Sequence, residues 1–135
     1  MELRPVSDTV KAPASTFTGD VYQTPITQGA EPSRLIASLV RFTPGARTFW
    51  HSHVLGQTLY VVEGVGLVAS RDGAVVRVRA GDTVWAPPGE EHWHGGTASH
   101  LMCHLAMLEG TGDGVGTTWL EPVSDEDHAA ADRAT

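Results

Sequence analysis

A chain of 135 residues holds one domain with a modest core, and a hydrophobic content of 41% is too high for a disordered polymer. Nine Lys and Arg against 16 Asp and Glu give a net charge of −7, which argues against nucleic acid or an anionic membrane surface as a partner, since both need clustered cations. One cysteine, Cys103, rules out an intrachain disulfide, and no apolar run approaches the roughly 18 residues of a membrane span.

The first 16 residues are polar, carry Pro5 and Pro13, and lack the apolar stretch of a secretory signal, so they read as an arm on a cytoplasmic protein. Residues 17–23 (FTGDVYQ) predict a first short strand and 24–33 a loop, making 1–33 an N-terminal extension. Strand signals begin in RLIASLVRF (34–42), which is apolar with β-branched residues and ends at the turn-forming TPGAR. TFWHSHV and QTLYVVE (57–63) follow, and Gly64-Val65-Gly66 predicts a turn. GLVAS (66–70) and AVVRVRA (74–80) flank Arg71-Asp72-Gly73, a hairpin signal. DTVWA (82–86) stops at Pro87-Pro88-Gly89; HWH (92–94), HLMCHLAML (100–108), a Gly-rich loop (110–116) and TTWLE (117–121) complete the series. The acidic tail, 122–135, predicts one short helix capped by Ser124. No helical pattern separates the strands, which argues against a parallel βαβ arrangement, and the many short strands of 34–121 predict an all-β sandwich or barrel.

Six of the seven histidines lie between positions 51 and 104. His51 and His53 are two apart in an extended stretch, so both side chains point to one face. His92 and His94 repeat that spacing, and His100 and His104 fall on a later strand. Neutral imidazole is the commonest protein metal ligand, and two such pairs flanked by turns can close around one ion. Singly, each would read as a surface histidine; His128, in the acidic tail, is expected to take no part.

The stretch GARTFWHSHVLGQTLYVVEG (45–64) resembles the first cupin motif, and GDTVWAPPGEEHWHG (81–95) resembles the second. The resemblance implies an antiparallel jelly-roll barrel with a divalent metal held by His51, His53, Gln57 and His92. Two residues depart from the family pattern: Gln57 stands where Glu is usual, and Gly96 where Asn often closes the second motif. Three His and a neutral amide would leave the charge of the ion uncompensated, strengthening it as a Lewis acid. Open positions and an oxygen ligand suit Mn²⁺ first and Fe²⁺ next, while the Irving–Williams order favours Zn²⁺ or Ni²⁺ when these are supplied.

PGARTFWHSHVLGQTL, PGEEHWHG and HLAM are also similar to the small bacterial cupins that include manganese-dependent (R)-hydroxynitrile lyases. That likeness implies a cyanohydrin-cleaving enzyme with His104 moving the proton. A nitroaldol or retro-aldol reaction, an Fe²⁺ dioxygenase and a non-catalytic binding protein are the other readings. With Gln57 inward, strand parity puts Leu59 and Val61 inside. With His104 inward, Met102, Ala106 and Leu108 follow it. Ser38, Val40 and Leu108 are the candidates for shaping a substrate pocket, with Met102 beside them and His94 either there or in a supporting hydrogen bond. The remaining face of 101–107 (Leu101, Cys103, Leu105, Met107) would be apolar and outward, which predicts a homodimer or higher homo-oligomer. The four Trp are expected to serve packing or an interface rather than the substrate.

Overall fold

The computed structural model covers residues 1–135. Its strands are β1 (Val10–Lys11), β2 (Phe17–Thr18), β3 (Val21–Thr27), β4 (Leu35–Phe42), β5 (Arg47–Thr48), β6 (His51–His53), β7 (Gln57–Ser70), β8 (Val75–Arg79), β9 (Thr83–Ala86), β10 (His92–Gly96), β11 (Met102–Glu109) and β12 (Thr117–Trp119), and its one helix is α1 (Asp125–Ala134). The main path runs β1-β3-β4-β11-β7-β10-β5-β2, with β8 and β9 on β7, and β6 and β12 beside β10. Every pairing is antiparallel. This is the expected jelly-roll arrangement, and no helix is long and apolar enough to cross a membrane.

β7 joins the two halves. Gln57–Tyr60 pairs with β9 and Thr58–Gly64 with β11, whereas Val65–Ala69 pairs with β8 and Gly66–Ser70 with β10. The strand thus changes sheets at Gly64, where the sequence predicts a turn. Gly64 has φ +83°, and a Cβ there would lie 2.0 Å from the Leu101 carbonyl oxygen. The glycine serves a corner within one continuous strand, not a reversal.

Between the sheets lies the main core, including Val21, Val40, Phe42, Leu59, Val61, Val68 and Met102. Alternation along β4 explains its share: Val40 and Phe42 are buried, while Arg41 points out and pairs with Glu63 at 2.6 Å. A second cluster on the outer face of the β7–β10 sheet, Leu67, Ala69 and Trp93, is covered by Val123 and by Ala131 of α1. Each fully buried large side chain here contributes about 2–3 kcal/mol.

The ends of the chain depart from expectation. FTGDVYQ forms two strands, β2 and β3, because Gly19 (φ +79°) breaks it. β3 then continues to Thr27, into the stretch read as loop. β1 covers only Tyr22 and Gln23, so one edge of β3 is free by Pro25, where a residue without an N–H is tolerated. In the tail, the Ser124 hydroxyl accepts from the Asp127 N–H at 3.0 Å, as a cap should. His128 is no bystander: it is buried, lies 2.9 Å through Nε2 from the Gly96 carbonyl oxygen, and packs against Trp93. Arg47 donates to the Val123 carbonyl and to Asp125, and Arg77 to Asp132, so the acidic tail is tied to the barrel by basic residues of its strands.

Candidate metal centre

β6 is extended, so His51 and His53 turn to the same interior side while Ser52 faces away. On one flank β10 sets His92 directly opposite His51; on the other, β12 sets Trp119 opposite His51 and Thr117 opposite His53. One ring nitrogen from each of the three histidines lies within 4.8 Å of those of the other two.

The Nδ1 atoms are already engaged. His51 Nδ1 lies 2.9 Å from the Phe49 carbonyl oxygen, His92 Nδ1 3.0 Å from the Glu90 carbonyl oxygen, and His53 Nδ1 2.9 Å from the Thr117 hydroxyl. A carbonyl only accepts, so His51 and His92 carry their proton on Nδ1 and present a lone pair at Nε2. This is the usual outer support of a metal-binding imidazole. His53 Nε2 is buried without any hydrogen-bond partner. Gln57 Oε1 lies 3.2 Å from His92 Nε2, so two acceptors face each other, an arrangement that a shared cation would reconcile. These residues therefore fit one divalent metal ion.

Electrostatics favours the ligating form. Burial drives the His53 pKa down to about 4, helped by repulsion from His92; burial lowers His92, and burial with His92 and His53 nearby holds His51 well below its ordinary value. Neutral imidazoles are what a metal requires.

A cavity of about 140 Å³ opens on this cluster. His51, His53 and Gln57 form one wall; Ser38, Val40 and Leu108 line it too, with Phe17, Ile36, Ala106 and Trp119. Two of the expected pocket residues lie elsewhere. Met102 is fully buried in the main core, where its side chain occupies the space that a Cβ on Gly66 would need. His94 is buried behind the wall, its ring 5.1 Å from His51 and edge-on to Phe42 at 5.8 Å.

His104 is fully buried. It pairs across β4 with Val40, one row deeper than the Ala106–Ser38 pair that lines the cavity. Its Nε2 lies 2.9 Å from His94 Nδ1, while His94 Nε2 and His104 Nδ1 have no partner. Burial pushes His104 down to about 4 and His94 well below its ordinary value, so both imidazoles are neutral. His100 stays exposed among the hydroxyls of Thr97 and Ser99. Trp119, expected to be packing, lies 4.7 Å from the His51 ring and lines the cavity. Its two-residue spacing from Thr117, matching that of His51 and His53, is the signal that could have found it.

Residues 38–108 match the family model described as Cupin domain. The chain is a cupin. Over 118 residues this cupin is 46% identical to the (R)-mandelonitrile lyase of Granulicella tundricola, covering 87% of this chain and 89% of that one. It resembles a cupin-like protein of Thermotoga maritima with a TM-score of 0.87 and 29% identity over 100% of both chains. A predicted oxalate decarboxylase from the same organism is similar in fold, with a TM-score of 0.70 and 20% identity over 82% of this chain and 100% of that one. The lyase relative supports an enzyme, and the three-histidine site suits one divalent ion.

Proposed function

We propose that this cupin is a metal-dependent lyase that splits small 2-hydroxynitriles into a carbonyl compound and cyanide and runs the reverse addition. The observation that carries the reading is the clustering of three neutral imidazoles, two of which, His51 and His53, line a small, largely apolar cavity, in a chain nearly half identical to a mandelonitrile lyase. His51, His53 and His92 hold the ion, with the Gln57 amide oxygen as fourth ligand; Mn²⁺ suits this donor set first, and Fe²⁺ next. When bound, the ion supplies a Lewis acid for the hydroxyl or carbonyl oxygen of the substrate and a positive charge for the departing cyanide.

The remaining work falls to the chain. Phe17, Ile36, Val40, Leu108 and Trp119 bind the hydrocarbon part of the substrate and exclude water. His104, assigned as the general base, sits with its hydrogen-bonded partner His94 one row below the cavity; it takes the hydroxyl proton across one bridging water and delivers it to the cyanide, which leaves as HCN, and the reverse addition runs the same transfer backwards. A nitroaldol or retro-aldol reaction would use the same residues.

The test is anaerobic release of benzaldehyde from racemic mandelonitrile by Mn²⁺-loaded protein, at a pH low enough to suppress the uncatalysed reaction. The expected result is release that is lost in His51→Ala together with the metal, and lost in His104→Ala with the metal retained. No release from protein shown to hold its ion would sink the lyase reading, and oxygen uptake by Fe²⁺-loaded protein would then test a dioxygenase.

The proposal includes a homodimer. Its support is the outer face of the sheet containing β4, β11 and β9, where Tyr60, Val62 and Trp85 are exposed beside the half-buried Leu39, Leu105 and Met107. It also includes a cytoplasmic location, with which a chain of one cysteine and no possible intrachain disulfide is compatible.

A further inference from the structure

Arg71 lies in the turn between β7 and β8, outside the cavity, and its guanidinium touches three separate segments. Nε donates to Glu91 Oε2 at 2.8 Å, Nη2 donates to Glu121 Oε1, and the planar group sits 3.9 Å from the centroid of the Trp50 ring. Its backbone N–H also donates to the Glu91 carbonyl at 3.0 Å.

Each of these segments carries the partner that aims one imidazole. Trp50 stands between His51 and Phe49, whose carbonyl receives His51 Nδ1. Glu91 stands between His92 and Glu90, whose carbonyl receives His92 Nδ1. Glu121 closes the run that begins at Thr117, the partner of His53 Nδ1, and passes through Trp119, which faces His51; its carbonyl accepts the Trp50 N–H at 3.0 Å. The three Nδ1 contacts hold the rings only as firmly as these segments are held.

We infer that Arg71 is a positioning residue of the metal centre, a single cation that fixes from outside the three segments orienting His51, His53 and His92. The inference rests on the reading of these histidines as ligands of one ion. A single exposed ion pair contributes little, and Arg71, Glu91 and Glu121 have side chains 44%, 40% and 59% exposed. Here one rigid fork is shared between two carboxylates and stacked on an indole, a geometry that Lys cannot reproduce. The clamp therefore constrains the site while adding little to overall stability.

The experiment compares the full-length protein with Arg71→Gln, Arg71→Lys and a control, Arg77→Gln. Arg77 ties α1 to β8 through Asp132 and touches none of the three segments. Two quantities are read: the rate at which Mn²⁺ passes from loaded protein to excess chelator, and the NMR signals of the His51 and His92 Nδ1–H protons in metal-free protein. Arg71→Gln should release metal roughly tenfold faster and broaden both signals, with its unfolding midpoint close to wild type. Arg71→Lys should restore only part of the effect, Arg77→Gln should release at the wild-type rate, and high salt should move the wild type toward Arg71→Gln. Wild-type release and sharp signals in Arg71→Gln would overturn the clamp, as would an equal effect from Arg77→Gln. If the wild type takes up no divalent ion, the ligand assignment falls; the Nδ1–H signals then decide the clamp alone, broadening in Arg71→Gln supporting it and unchanged signals overturning it.

Discussion

Gln57 is the residue at which charge and geometry pull apart, since it offers an oxygen beside His92 without a charge. Gln57→Glu should tighten divalent binding about tenfold and slow turnover, because an added carboxylate neutralises part of the Lewis acid. Calorimetry and kcat check this, and no change in either would remove Gln57 from the ligand set. His104 makes a different prediction. Burial lowers its pKa from 6.5 to about 4, so between those values the unfolded chain binds a proton that the folded chain refuses. Its contribution is complete above pH 6.5 and is lost as pH falls toward 4, a difference of roughly 3 kcal/mol. Urea unfolding of metal-free protein should show stability falling over that window, and His104→Gln should flatten the slope by about one proton. His104→Gln should also keep its metal while losing 10²–10⁴ in kcat, the range of a general base. The histidine pairs were legible because a spacing of two in extended chain fixes a common face. His128 was not, because its partner is a backbone carbonyl 32 residues away that no local pattern announces.

At the level of elements, glycine signals mark a change of direction without saying which kind. Gly64-Val65-Gly66 and Arg71-Asp72-Gly73 look alike as text, yet the first is a corner inside β7 and the second a hairpin between β7 and β8. What separates them is the Leu101 carbonyl pressed against Gly64, a contact from a distant strand. Gly64→Ala would combine a disfavoured φ with a direct backbone clash, and should cost at least about 3 kcal/mol (on the order of a proline inside a helix) or prevent folding, as read by soluble yield and urea unfolding. α1 gives a milder case. Ser124→Ala removes only the cap and should cost about 1 kcal/mol by the same unfolding measurement, with metal binding intact.

For the molecule as a whole, the proposed homodimer turns on the apolar outer face. Light scattering should give a dimeric mass for the wild type, and Tyr60→Lys combined with Leu105→Glu should give a folded monomer; a wild-type monomer would remove the proposal. The same sheet has a bearing on synthesis. β11 lies between β4 and β7 and hydrogen-bonds to both, yet it comes after residue 101. A growing chain carries two complete strands with the slot between them empty until three-quarters of it exists. Until then each strand has a bare edge able to recruit a neighbouring nascent chain. Closing that slot joins segments distant in the chain, a slow event governed by loop entropy. Translation speed over the last quarter of the message should therefore set the yield of soluble protein more strongly than speed over the first.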